Sequence, residues 1–185
     1  MNDEKIIEMF FERSEQAIRE LNNKYGKICH NLSYNIVSNT QDAEECVNDA
    51  YLGVWNAIPP ARPNPLLTYV CKIVRNISLK LYWRKEADKR NSHYTIAMEE
   101  IEAYIADPKT VEAEMEAKEL AHIIEEFLDT LTLENRVIFM RRYWFSDSYK
   151  NIAEFTGLSE KNISVRLTRI REKMKQYLIE REVFV

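Results

Sequence analysis

The sequence predicts an all-α protein built as two small helical domains joined by a flexible linker. Three observations lead there. Only three glycines occur in 185 residues, and four of the five prolines lie between Pro59 and Pro65, so long stretches contain no strong helix breaker. Hydrophobic residues make up 45% and charged residues 30%, which suits helices that each bury one stripe and solvate the other. Charge also alternates along the chain. Residues 1–61 hold 5 Lys+Arg against 10 Asp+Glu, residues 62–95 hold 8 against 2, residues 96–135 hold 2 against 12, and residues 136–185 hold 11 against 6. The net charge of −4 therefore conceals two basic segments, and it is local charge that sets the field a polyanion feels within a Debye length.

Residues 3 to 37 read as one or two helices, with Ile28, Leu32 and Ile36 four apart on one side. Asn39 or Thr40 can cap the next helix, whose apolar positions Val47, Ala50, Tyr51, Val54 and Ile58 recur at helical spacing. Its other face presents Asp42, Glu45, Asn48, Asp49 and Leu52 and is mostly acidic. The run Pro59-Pro60-Ala61-Arg62-Pro63-Asn64-Pro65 cannot continue a helix, because proline lacks the amide donor and clashes with the preceding turn. A third helix from about Leu66 is expected to bury Leu66, Val70, Ile73, Ile77 and Leu81, leaving Lys72, Arg75, Asn76, Lys80 and Trp83 on its opposite side.

Periodicity weakens from about Asp88 to Asp107, read as a linker with a short helical turn around Glu99 to Tyr104. The division is thus residues 1–90, a linker over 91–108, and residues 109–185. Asp107-Pro108 suits a helix start, with the aspartate as cap and the proline in the first turn. Leu120, Ile123, Ile124, Phe127, Leu128 and Leu131 continue the buried face of that helix.

The most specific local signal spans Ser148 to Leu167 and reads helix, tight turn, helix. Ala153 is small where two helices cross, Gly157 stands where the turn requires positive φ, Leu158 can plug the angle, and Ser159 is a natural N-cap. In the second helix Ile163, Leu167, Ile170, Met174 and Leu178 form a core stripe, leaving Lys161, Asn162, Val165, Arg166, Thr168 and Arg169 toward solvent. These residue types read base edges or hold phosphates when they stand near the start of a recognition helix.

Other classes find little support. His30, His93 and His122 are isolated, and no metalloprotease, nucleophile-elbow or phosphate-loop pattern appears, so no enzyme, cofactor or metal site is expected. Cys29, Cys46 and Cys71 are odd in number and lack a C-x-x-C clip, which reads as reduced, buried residues of a cytoplasmic protein. The acidic start Met1-Asn2-Asp3-Glu4 is unlike a signal peptide, and no run of about 18 apolar residues occurs, so no membrane insertion is expected.

Four stretches together resemble a known family. They are Asp42 to Trp55, Leu66 to Asn76, Leu131 to Tyr143, and Tyr149 to Arg171 with its Arg166-Leu167-x-Arg169-x-Arg171 pattern. Their order and spacing resemble a bacterial RNA polymerase sigma factor of the extracytoplasmic-function type of the sigma-70 family. The resemblance implies a protein that performs no chemistry but lends promoter specificity to core RNA polymerase. It implies that Asp42, Glu45, Asn48, Asp49 and Leu52 dock on the polymerase, and that the loop from Ile58 to Leu66 holds a flipped base of the minus-ten element. Arg75, Asn76, Lys80, Trp83 and Arg84 would contact DNA around that element. Lys161, Asn162, Val165, Thr168 and Arg169 would lie nearest the bases of the minus-thirty-five element, with Arg166 or Arg171 on phosphate. An anti-sigma factor is a further implied partner, and the acidic residues 96–135 would lie along a cationic surface of the polymerase. The sequence departs from the family pattern at Tyr69, where tryptophan is common, in its longer proline-rich loop, and at Glu86 and Asp88, which dilute the basic tail of the third helix. The alternative is a conventional helix-turn-helix regulator that binds an operator without polymerase.

Overall fold

The computed structural model describes residues 1–85, 92–102, 104 and 113–181, with side chains from 119 onward in the last stretch. The described residues are helical or in turns and loops: α1 (Asp3–Phe11), α2 (Gln16–Val37), α3 (Thr40–Ala57), α4 (Leu66–Arg84), α5 (His93–Glu102), α6 (Ala113–Thr130), α7 (Leu133–Tyr143), α8 (Tyr149–Thr156) and α9 (Glu160–Glu180). They fall into two compact units, Met1–Thr95 and Ile96–Val185. The expected helix start at Asp107-Pro108, and the acidic Glu86 and Asp88, lie outside the described residues.

In the first unit the helix ends follow local chemistry. The Asn2 side chain accepts from the Lys5 amide and Asn39 from the Asp42 amide, each at 3.0 Å, which satisfies donors that a helix start leaves open. Asp3 accepts from Lys24 Nζ and from the Tyr25 hydroxyl, both at 2.7 Å, and so ties α1 to α2. Burial opposes the charge on Asp3, but these two bonds outweigh it and hold the carboxyl below its ordinary range.

α2, α3 and α4 pack on one another around Leu21, Leu32, Ile36, Val47, Val54 and Val70, and Ile6 and Phe10 of α1 close the bottom. α4 departs from the expected stripe: Ile73 and Ile77 are half-buried, while Cys71, Val74 and Ser78 lie inside. The buried Ser78 Oγ sits 2.8 Å from both Ser33 Oγ and the Val74 carbonyl. A serine satisfied in this way can occupy a core position that hydropathy assigns to its neighbours. All three cysteines are buried and free. A hydrogen bond with Cys71 and burial push the Cys29 thiol up, away from nucleophilic use.

In the second unit the core comprises Phe127, Ile138, Phe139, Tyr143, Ile152, Ala153 and the α9 stripe, together with Ala97 of α5. Met98, Ile101 and Tyr104 pack against it. Residues 93–102, read from the sequence as linker, are thus helical, and from Ile96 they belong to this unit. The spacing of Ala97, Met98 and Ile101 was masked by acidic neighbours.

α5 also supplies Glu100, which clasps Arg142 bidentately, at 3.0 Å to Nε and 2.6 Å to Nη2, and lies 3.4 Å from Arg171 Nη1. Arg142 is 3% exposed and Arg171 8%. Burial opposes the Arg171 charge, but the Tyr143 hydroxyl at 2.8 Å and neighbouring groups hold it above its ordinary value.

Removing one partner leaves buried guanidinium charge uncompensated, so Glu100→Ala is expected to cost the second unit about 2–4 kcal/mol. Urea unfolding followed by Trp144, the one tryptophan of residues 96–185, with Trp55 and Trp83 replaced by phenylalanine, measures it. Burial also raises the Tyr143 hydroxyl from 10.0 to about 12. The fold favours the neutral phenol, so this contribution is complete below pH 10 and is lost as the pH climbs from about 10 to about 12. In Tyr143→Phe, the alkaline loss of stability read by the same fluorophore should be smaller.

Candidate nucleic-acid and partner faces

α3 is amphipathic because its small and apolar residues Ala43, Val47, Ala50 and Val54 are buried. The opposite face is thereby turned outward, and Glu45, Asn48, Asp49 and Leu52 are exposed, Leu52 by 58%. Positions 45, 48, 49 and 52 share one side of the helix, an acidic row with an apolar residue at its end. Asp42 differs from the others. It is half-buried, and both its oxygens lie 2.7 Å from Lys85 Nζ, so a partner would have to displace that lysine.

On α4, Asn76, Lys80, Trp83 and Arg84 are exposed. Trp83 is 60% exposed but backed edge-on by Tyr82 at 4.9 Å and Tyr94 at 6.4 Å, a flat ring held at the surface. Arg75 is half-buried with its guanidinium 5.7 Å from the centre of the Tyr94 ring. Trp55 packs instead, half-buried against Phe10 and beside Arg13. The proline-rich loop is pinned to α1 by Arg62, which meets Glu8 at 2.6 Å and lies 4.0 Å from the Phe11 ring centre. Between α1 and this loop is an open cleft lined by both signs of charge, Asp3, Glu4, Glu8 and Glu12 with Lys5 and Arg62.

The helix-turn-helix is α8, Gly157, Leu158, Ser159 and α9. Gly157 has φ 74°, the left-handed region in which a side chain is strained. Ser159 Oγ accepts from the Asn162 amide at 3.2 Å and starts α9. Ile163, Leu167, Ile170, Met174 and Leu178 are all buried, which places Lys161, Asn162, Val165 and Arg169 at the surface. Thr168 is half-buried, donating to the Ser164 carbonyl and accepting from Arg171.

Two arginines are placed differently from the sequence expectation. Arg171 is not on a DNA-facing surface; it lies inside, on Tyr143 and Glu100. Its position four residues after Leu167 and one after Ile170 already borders the buried stripe. Arg166 is half-buried and ion-paired to Glu134 of α7.

The acidic segment 96–135 also has internal work. Glu100, Glu126, Asp129 and Glu134 pair with Arg142, Arg181, Arg136 and Arg166. Sequence reading missed this because the partners lie 7 to 55 positions apart. It also missed the Arg141 guanidinium 3.9 Å from the centre of the exposed Phe155 ring.

Helices throughout the described residues, and a C-terminal unit that presents the capped, basic second helix of a helix-turn-helix, have the form of a DNA-binding protein of transcription. Comparison with protein families narrows it: Sigma-70 region 2 matches residues 21–88 and Sigma-70, region 4 matches residues 121–174. The chain belongs to the sigma-70 family and is a sigma factor, the subunit through which core RNA polymerase recognises promoter DNA. The curated proteins contain no match. Among solved structures, that of CnrH in complex with the cytosolic domain of CnrY holds a chain 18% identical, covering 96% of this chain and 97% of that one at a TM-score of 0.45. No helix among the described residues is long and apolar enough to cross a membrane.

The two basic positions Arg169 and Arg171 should separate cleanly. Arg171→Ala is expected to lower the unfolding free energy by about 2–3 kcal/mol through its buried partners. Arg169→Ala should leave stability within about 0.5 kcal/mol while weakening promoter binding in a filter or mobility assay.

Proposed function

We propose that this is a cytoplasmic, non-enzymatic sigma factor of the extracytoplasmic-function type, with residues 1–90 serving polymerase and the minus-ten element and residues 109–185 serving the minus-thirty-five element. In this reading residues 91–108 connect them, with the second half of α5 packed beside the C-terminal helices. Glu45, Asn48, Asp49 and Leu52 dock on a basic surface of the polymerase, and Asp42 joins them only on release from Lys85. Asn76, Lys80 and Arg84 hold the backbone near the minus-ten element, Arg75 supports that face from beneath, and the ring of Trp83 offers a stacking platform. The proline-rich loop from Ile58 to Leu66 holds a flipped base of the minus-ten element. Lys161, Asn162, Val165 and Arg169 read the minus-thirty-five element from the major groove, with Thr168 at the margin. An anti-sigma partner covers one or both faces when the protein is silent. Carboxylates of residues 96–135 other than those pairing within the C-terminal unit are left to meet a cationic polymerase surface.

The observation that carries this reading is the exposed row Lys161, Asn162, Val165 and Arg169 at the start of α9, opposite a completely buried stripe. A conventional operator-binding regulator is disfavoured because the N-terminal unit matches sigma-70 region 2. Reconstitution with core polymerase tests the proposal: a stable complex and promoter-dependent run-off transcript are expected. Lys161→Ala or Arg169→Ala should cut the transcript about tenfold with core binding intact, and Glu45→Lys with Asp49→Lys should weaken core binding itself. Absence of both the complex and the transcript would reject the reading.

A further inference from the structure

One residue of the outward row on α9 has no polar side-chain atom, and its role rests on the reading of α9 as the helix that enters the major groove. Val165 is apolar yet 41% exposed, on the side of α9 opposite the buried Ile163, Leu167 and Ile170. Lys161 stands one turn before it and Arg169 one turn after, and both are exposed. Valine is the shortest side chain of the three, so it lies between two long polar arms in the middle of the row.

Thr168, three residues further on, adds to the same surface. Its one hydroxyl proton goes to the Ser164 carbonyl at 3.1 Å, and its oxygen accepts from Arg171 Nη2 at 3.1 Å. Arg171 is in turn held by the Tyr143 hydroxyl at 2.8 Å. The hydroxyl is thereby bound back onto the protein, and what Thr168 brings to the row beside Val165 is its γ-methyl. At i and i+3 the two residues make a small apolar strip within an otherwise polar row.

The base edges of the major groove are almost wholly polar. Adenine presents N7 and an amino group, guanine N7 and O6, cytosine an amino group, and thymine O4 beside a C5 methyl. A valine brought against N7, O6 or an amino group strips water from that atom and returns no hydrogen bond, which is a net loss. Against the thymine methyl both partners are apolar, and their contact removes hydrocarbon from water. We propose that Val165 is a specificity-determining residue that selects thymine, through its C5 methyl group, at one position of the minus-thirty-five element. The γ-methyl of Thr168 borders the same contact.

This readout differs in kind from that of Lys161, Asn162 and Arg169, which act by hydrogen bonds and charge. Uracil in place of thymine removes only the methyl and keeps O4 and the pairing with adenine, so it touches the Val165 contact and leaves the others alone.

The experiment selects promoters from a library randomised across the minus-thirty-five region, using holoenzyme reconstituted from core polymerase and the full chain. Each thymine on either strand of the enriched element is then replaced by uracil, one at a time, and binding is measured by competition. Wild type is expected to lose about fourfold at one thymine, the worth of one buried methyl group. Val165→Ser, which removes both methyls of the side chain, should bind thymine and uracil equally at that position. Val165→Ile, which keeps an apolar tip, should retain the discrimination, with thermal melts showing that both variants are folded.

An enriched element that lacks thymine, or whose thymines all tolerate uracil, overturns the proposal. So does a uracil penalty that persists unchanged in Val165→Ser. In these cases Lys161→Ala and Arg169→Ala would still disturb the element, and the recognition-helix reading would stand. A library with no enriched element, or one indifferent to Lys161→Ala and Arg169→Ala alike, overturns that reading and this inference with it.

Discussion

Ile163, Leu167, Ile170, Met174 and Leu178 can be buried together on only one side of α9. Each contributes about 1.5–3 kcal/mol by leaving water, so rotating the helix by even a quarter turn would cost more than any surface contact could return. That constraint, and not the polar residues themselves, decides that Lys161, Asn162, Val165 and Arg169 face outward. Gly157 and Ser159 then fix where the helix begins, so the same side chains stand at its leading end. α3 obeys the same rule in the first unit, where buried Ala43, Val47, Ala50 and Val54 turn Glu45, Asn48, Asp49 and Leu52 outward.

Around this stripe the charges are arranged in pairs. Residues 136–185 contain seven arginines, and six of them meet a carboxylate: Arg136, Arg141, Arg142, Arg166, Arg171 and Arg181. The exposed pairs stabilise little. The two buried arginines on Glu100 are different, since both guanidinium charges depend on that one carboxylate to offset their desolvation. α5 is thereby tied to the C-terminal core by charge as well as by Ala97, Met98 and Ile101. A field computed from composition overstates what DNA would feel, because much of the positive charge is already answered within the unit.

The same pairing bears on recognition. The half-buried Arg166, anchored to Glu134, also donates to the Asn162 side-chain oxygen, so its guanidinium is already engaged within the unit. α4 shows the related case in the first unit: Trp83 is exposed, yet Tyr82 and Tyr94 hold its ring in place, so little rotamer freedom remains to be lost on stacking.

The chain alone determined everything that follows from periodicity and local backbone chemistry. The α9 stripe, the Gly157 turn, the Ser159 and Asn39 caps, the α3 core positions and the proline-rich break were all legible, because each depends on residues within a few positions of one another. Four matters were decided only in three dimensions: the burial of Arg171, the Lys85 clasp on Asp42, the Glu134 brace on Arg166, and the inclusion of α5 in the C-terminal core. Each joins groups that lie 28 to 71 residues apart or, for α5, sit on a short helix whose apolar positions are hidden among acids. A charged side chain announces its sign in the sequence, but whether it faces a phosphate or an internal carboxylate depends on which helix the fold sets beside it.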